Sequence, residues 1–222
     1  METWAPPKDF AGRWVLACMA GLAIGAPLAT LWGLSVRPSV LATEAGRFGA
    51  LLVVVRAVGG AIAGGVLGAA QAWALRRAYP DLPAAAWIGV SAGAGFAVAV
   101  VSGLAIGALA RHGGAMPIAG YVVVGAALHG VLGGVLGGVL FGIGQARVLR
   151  SVTDRRGTWP LVVTLGVMLG TLVASLRWIF GLGAAGSVSL VVGAAIGGAV
   201  EGLVLGLVTA GAFRVMPPRR AR

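Results

Sequence analysis

The stretch FGALLVVVRAVGGAIAGGVLGAAQAWALRR, residues 48–77, holds a single charge, Arg56, before its closing pair Arg76 and Arg77. Twenty-eight residues with one charge exceed the ~20 that span a hydrocarbon core as a helix. The glycines at 60, 64 and 68 step by four, which sets them along one side of that helix. The run ends Gly68-Ala69-Ala70-Gln71-Ala72-Trp73-Ala74-Leu75-Arg76-Arg77, a polar residue followed by cations at a helix C-terminus, where the backbone dipole favours positive charge.

Outward from this stretch the chain keeps the same character. Weakly charged apolar runs fall at residues 14–36, 48–75, 84–110, 116–146, 158–182 and 184–213. Each is long enough to cross a bilayer, and the fourth and sixth are long enough to tilt. The break at 181–186 is marked only by glycines. Of 222 residues, 59% are apolar and 10% charged, with a mean hydropathy of +0.96. Soluble domains carry about a quarter charged residues, so a water-soluble fold would lack the side chains to cover its surface. Lipid removes that demand. Cys18 is the single cysteine, which rules out an intramolecular disulfide, and too short an apolar stretch precedes it for a signal sequence. It reads as an ordinary residue of an uncleaved first helix.

The net charge is +11, from 16 arginines and Lys8. In a soluble chain that would point to nucleic acid, but here the arginines sit at the ends of apolar runs and follow membrane topology instead. Twelve cations fall on one side (Lys8, Arg13, Arg76, Arg77, Arg147, Arg150, Arg155, Arg156, Arg214, Arg219, Arg220, Arg222) and three on the other (Arg37, Arg47, Arg111). That asymmetry puts both termini in the cytoplasm of a multi-pass protein of a bacterial-type inner (plasma) membrane, and six crossings agree with it.

The closing motif of residues 68–77 recurs. Gly142-Ile143-Gly144-Gln145 leads to Arg150, and Gly206-Leu207-Val208-Thr209 leads to Arg214. The odd-numbered runs open with Trp14, Trp87 and Trp159. The expected unit is a helical hairpin of about 70 residues, repeated over roughly 10–80, 81–155 and 156–216 of a single transmembrane domain. Two crossings per unit give three parallel copies about a pseudo-threefold axis. Tryptophan at each odd helix start fits an anchor at headgroup depth. The even runs carry glycine-zipper rows: Gly60, Gly64 and Gly68; Gly130, Gly134, Gly138 and Gly142; Gly198, Gly202 and Gly206. Such rows let backbones approach closely, and they predict even helices packed together at the centre of the bundle. The fold class expected is therefore all-α integral membrane, with six transmembrane helices as three parallel-repeat hairpins.

The motif Gly68-x-x-Gln71-x-x-x-Leu75-Arg76-Arg77 with Pro80 and Trp87 resembles a pattern of small, uncharacterised multi-pass bacterial membrane proteins. The third copy lacks the glutamine. The resemblance covers the repeat boundaries and implies no particular activity. Mitochondrial carriers also have three two-helix repeats, but their proline and alternating charges at the odd helix ends have no counterpart here.

Few residues are candidates for chemistry. Glu201 lies near the middle of the sixth run, where an ionised carboxyl needs a partner or water. It reads either as a proton- or cation-binding group or as a neutral hydrogen-bonded packing residue. Arg56 and Arg177 lie toward the outer ends of their helices, placed to snorkel to headgroups or to pair with Glu201 or an anionic ligand. His129 reads as an interhelical hydrogen-bonded residue, or as a proton relay or a ligand to metal, haem or chlorophyll-type magnesium. Gln71 and Gln145, one turn from the basic ends, read as satisfying backbone or helix-end groups, or as ligand-binding residues. No P-loop, paired cysteines or H-E-x-x-H is present, and six acids with two histidines do not supply clustered catalytic groups. No catalytic residue or metal site is expected, and no cofactor is named by the residues.

Two functions follow from these features. One is a small transporter or channel-like protein. The other is a non-catalytic accessory or assembly subunit of a larger membrane complex, its glycine grooves open to a partner helix, lipid or pigment. Anionic lipid at the basic face, membrane-protein partners or a homo-oligomer suit either, and nucleic acid suits neither.

Overall fold

A computed structural model describes residues 4–41, 48–112, 133–179 and 186–219. Among them every regular element is helical: α1 Phe10–Leu41, α2 Phe48–Leu75, α3 Ala84–His112, α4 Gly134–Leu149, α5 Trp159–Ile179 and α6 Gly186–Ala210, followed by a 3-10 turn at Gly211–Val215. Five of the six helices are long and apolar enough to cross a membrane, and α4 is described over 16 residues. The protein is thus a multi-pass helical membrane protein. The first half of the expected fourth run, with His129 and Gly130, lies outside the described residues.

Local sequence explains where the helices begin and end. Proline is tolerated at a helix start, where a backbone N–H has no partner to lose. Pro160 is the second residue of α5, and the Pro83 carbonyl accepts the Trp87 backbone N–H in the first turn of α3. Gly186 opens α6 with φ +85°, a conformation that favours glycine. The start of α6 thus falls at the weak boundary between the fifth and sixth runs, at Gly186.

The helices form a closed ring. Each packs on its chain neighbours, and α6 closes on α1. Consecutive helices run antiparallel, so the start of α1 and the ends joined by Arg76–Arg77 and by residues 150–158 share one end with the tail. This is the basic end.

Side chains are sorted by size around the ring. Leu161, Leu165, Leu169, Val173 and Leu176 run along the exposed side of α5, and Val188, Val192, Ile196, Leu203 and Leu207 along that of α6. A soluble monomer rarely exposes an apolar patch beyond a few hundred Å², whereas lipid solvates such a belt at no cost. The seams between helices carry glycine and alanine instead.

Contrary to the expectation from sequence, the glycine rows do not meet at the centre. Each row on an even helix packs on the next odd helix. A Cβ added at Gly60, Gly64 or Gly68 of α2 would come within 3.0 Å of Gly95 or Ser91 of α3. Gly134, Gly138 and Gly142 of α4 meet Met168, Thr164 and Pro160 of α5 at similar closeness. Gly198, Gly202 and Gly206 of α6 meet Leu22, Cys18 and Val15 of α1. Spacing by four makes a row that admits a backbone, but it does not say which helix fills it. The short loop from each even helix places the following odd helix against it first. For the sixth helix that neighbour is α1, which closes the ring.

Candidate functional site

At the basic end the ring is filled rather than open. Trp14, Trp87 and Trp159 are each 0% exposed, whereas Trp73, under the Arg13 guanidinium, is 63% exposed. The three helix-opening tryptophans therefore turn into the ring and are not headgroup anchors; at this end it is Trp73 that is exposed. Sequence spacing located them at one end of the bundle but left open whether they face lipid or the ring interior.

Each buried indole donates its N–H to the polar residue of the closing motif before it. Trp87 Nε1 donates to Gln71 Oε1 at 3.3 Å, and Trp159 Nε1 to Gln145 Oε1 at 3.2 Å. Trp14 Nε1 donates to Thr209 Oγ1 at 2.8 Å, across the seam that closes the ring. The two glutamines also donate: Gln145 Nε2 to Gln71 Oε1 at 3.0 Å and to Ser91 Oγ at 3.2 Å, and Gln71 Nε2 to Cys18 Sγ at 3.4 Å. Among the described residues no buried side-chain nitrogen or oxygen lacks a partner. Gln71 and Gln145 thus satisfy indoles and each other, not the helix-end backbone groups expected of them. A buried tryptophan needs an acceptor for its N–H, and that requirement, applied to the Trp14, Trp87 and Trp159 series, is the signal that sequence reading passed over.

Below this layer lies the tail. Phe213 is fully buried, with its ring centroid 4.9 Å from those of Phe10 and Trp14 and 5.0 Å from that of Trp159. The segment after it is tied across the ring mouth. Tyr79 donates its hydroxyl to the Met216 carbonyl at 2.5 Å, and Thr153 to the Pro217 carbonyl at 2.7 Å. The Arg219 backbone N–H donates to the Val152 carbonyl at 2.6 Å, and its side chain pairs with Asp154. Burial pushes the Tyr79 phenol up, and the Asp154 hydrogen bond raises the Arg219 guanidinium. At the rim, the Arg13 hydrogen bond holds the Asp9 carboxyl below its ordinary value.

Toward the ring middle is a small chamber of about 50 Å³. Gln71, Gln145, Thr209 and Trp14 form its polar floor, Leu67, Phe141, Val163 and Leu205 part of its walls, and Glu201 reaches it from α6. Glu201 lies eight residues before Thr209, two turns along the same helix side. Glu201 Oε1 lies 3.1 Å from Thr171 Oγ1, and Thr171 Oγ1 lies 2.7 Å from the Val167 carbonyl. A hydroxyl has one proton to donate, so with an ionised Glu201 the threonine serves one acceptor or the other.

The sequence candidates separate accordingly. Glu201, Gln71 and Gln145 converge on the chamber. Arg56 is not part of its lining: it extends the Gly60–Gly64–Gly68 row by one turn, with its stem against Gly103 of α3. Arg177 is in α5 near the opposite end, with its side chain outside the described residues. Among the described residues no three His, Cys, Asp or Glu side chains group as a metal site would require. No protein-family model, curated protein or solved structure matches the chain.

Proposed function

We propose that this is a small transporter or channel-like protein of the bacterial inner membrane, with Glu201 as the group that engages the cargo. The observation that carries this reading is a carboxyl near the middle of α6 that lines a small, largely apolar chamber with a polar floor inside a closed helix ring. Ionisable residues inside a membrane are costly and are concentrated on substrate or ion pathways. The filled basic end then corresponds to a closed inner gate made by the tryptophan layer and the tail. With that end in the cytoplasm, as the arginine asymmetry requires, its cations face anionic headgroups, each contributing about 1 kcal/mol of attraction.

The threefold parallel repeat belongs to the same proposal. Three equivalent indole bonds, from Trp87, Trp159 and Trp14, and three equivalent glycine seams support it. No catalysis is assigned to the chain.

The accessory-subunit reading loses its main motive, because the described glycine rows are occupied by the chain's own helices. A native-mass measurement with an absorption spectrum checks this: a small colourless species is expected, and a large hetero-assembly or a pigment band would overturn the transport reading. The direct test is cation flux into proteoliposomes. Glu201→Gln is expected to abolish flux with the folded peak intact; undiminished flux in that variant would remove Glu201 from the pathway.

A further inference from the structure

We propose that residues 211–219 form a releasable strap over the ring mouth, an autoinhibitory contact held shut by Tyr79 and Thr153 from the two equivalent turns. This deepens the transport reading by naming the part of the closed end that moves, and rests on it only for what an opening lets through.

The three closing motifs can be followed past their arginines. Seven residues after Gly68, Gly142 and Gly206 come Leu75, Leu149 and Phe213, each fully buried. Arg76, Arg150 and Arg214 follow, and Tyr79, Thr153 and Pro217 then occupy one equivalent position. In the first two copies the chain turns back on its own helix. The Tyr79 backbone N–H donates to the Leu75 carbonyl at 2.8 Å, and that of Thr153 to the Leu149 carbonyl at 2.9 Å. Pro217 has no N–H, so the third turn cannot form this bond. The Met216 N–H does reach the Phe213 carbonyl, but at 3.3 Å, against 2.9 and 3.0 Å for the equivalent bonds of Ala78 and Val152.

The third turn is held from outside instead. Tyr79 and Thr153, which stand where this copy carries proline, donate their hydroxyls to the Met216 and Pro217 carbonyls. The Arg219 backbone N–H donates to the Val152 carbonyl, and its side chain pairs with Asp154 in an exposed position. These ties lie at the basic end, where water can replace them. The strap also has a place to pivot. At Gly211 the α-helix gives way to a 3-10 turn, and a Cβ added there would meet nothing within 4 Å. The turns at 75–79 and 149–153 are thus locked by their own backbone bonds, whereas 211–219 can lift away with α6 intact to Ala210.

What the strap covers gives it its effect. Phe213, one turn beyond Thr209, packs on Trp14 and Trp159, and both tryptophans also line the chamber. One layer of rings therefore separates strap from chamber. Withdrawing Phe213 uncovers the Trp14 indole, whose N–H is bonded to Thr209, and admits water to that layer.

Hydrogen exchange of the intact, isotope-labelled protein in micelles reads the strap. The backbone N–H groups of Met216 and Arg219 and the indole N–H of Trp14 are expected to exchange together, faster than amides in the middle of α2 and α6, as a sub-global opening requires. Tyr79→Phe with Thr153→Val unties the strap and is expected to speed all three by about tenfold or more. A short bismaleimide bridge between Asp154→Cys and Arg219→Cys, with Cys18 buried away from the reagent, is expected to slow all three by about the same factor. That arm decides by itself if the untied variant does not fold. Strap amides that exchange only at the rate of the helix amides, or a Trp14 rate indifferent to untying and bridging, would overturn the proposal. Cation flux in proteoliposomes separates the two levels. Flux raised by untying and stopped by the bridge supports both. The expected exchange without flux in any form supports the strap and sinks the transport reading. Equal flux in bridged and unbridged protein sinks the strap and leaves the transport reading standing.

Discussion

Along the middle of the ring, helices meet where side chains are missing: Gly64 lies against the Ser91 backbone and Gly202 against that of Cys18, with no room for a methyl group. At the basic end the same helices are held apart by the largest side chains in the chain, Trp14, Trp87, Trp159 and Phe213, with polar groups threaded between them. The contrast follows from the solvent. Between apolar helices in lipid there is little hydrophobic drive, so association relies on close backbone packing. Toward the headgroups water competes for the space inside the ring, and bulky aromatics with satisfied N–H groups exclude it. The first region sets the ring's diameter; the second closes its mouth.

Several variants break this division or sharpen it. The largest effect is expected from Phe213→Ala, which leaves a void where four aromatic rings converge. A loss of about 3–5 kcal/mol, read by thermal or denaturant unfolding in detergent, would confirm that the aromatic end is structural. Next come the seams. Gly202→Ala is expected to destabilise by about 1–3 kcal/mol because backbone atoms must move, whereas Gly89→Ala, with nothing within 4 Å, should be neutral or slightly stabilising. Equal effects at the two positions would mean the seams are not close-packed.

Trp159→Phe keeps the ring but removes the donor to Gln145. A cost of about 1–3 kcal/mol is expected for the buried acceptor left behind, against no change for Trp73→Phe on the exposed surface. Tyr79→Phe, removing one hydrogen bond to the tail, should cost about 1 kcal/mol. The same tyrosine predicts a pH effect. Its folded-state pKa is raised above the ordinary value of 10.0, so its contribution is complete below about pH 10 and is lost as the pH rises toward the folded value. Tail protection from protease should fall above pH 10 in the parent and show a smaller change in Tyr79→Phe. The smallest effect belongs to Asp9→Ala: its pair with Arg13 is exposed, and no measurable change in unfolding is expected.

Much of the fold was legible because its causes are local. Charge-free runs longer than a bilayer and glycines at every fourth position need only one helix to express them, and the described residues place five such spans as the sequence did. The candidate site was half legible. Glu201 stood out as the one acid in the sixth run, and Gln71 and Gln145 as repeated polar residues near helix ends. That Arg56 belongs to the α2–α3 seam over Gly103, and not to the Glu201 chamber, depends on which way α2 is rotated, and Arg56 lies in a row that serves equally well for a neighbour on either side.

The sequence by itself determined that this chain lives in a membrane as a set of apolar helices, because hydropathy and length act residue by residue. It also determined which end carries the cations. Only the tertiary structure decided that the glycine rows face the following helix, that the helix-opening tryptophans turn inward, and that Gln71, Gln145, Thr209 and Glu201 line one chamber. Those are relations between residues as far as 195 apart in the chain, such as Trp14 and Thr209. They exist only once α6 has closed on α1, because ring closure fixes which face of each helix has a neighbour and which has lipid.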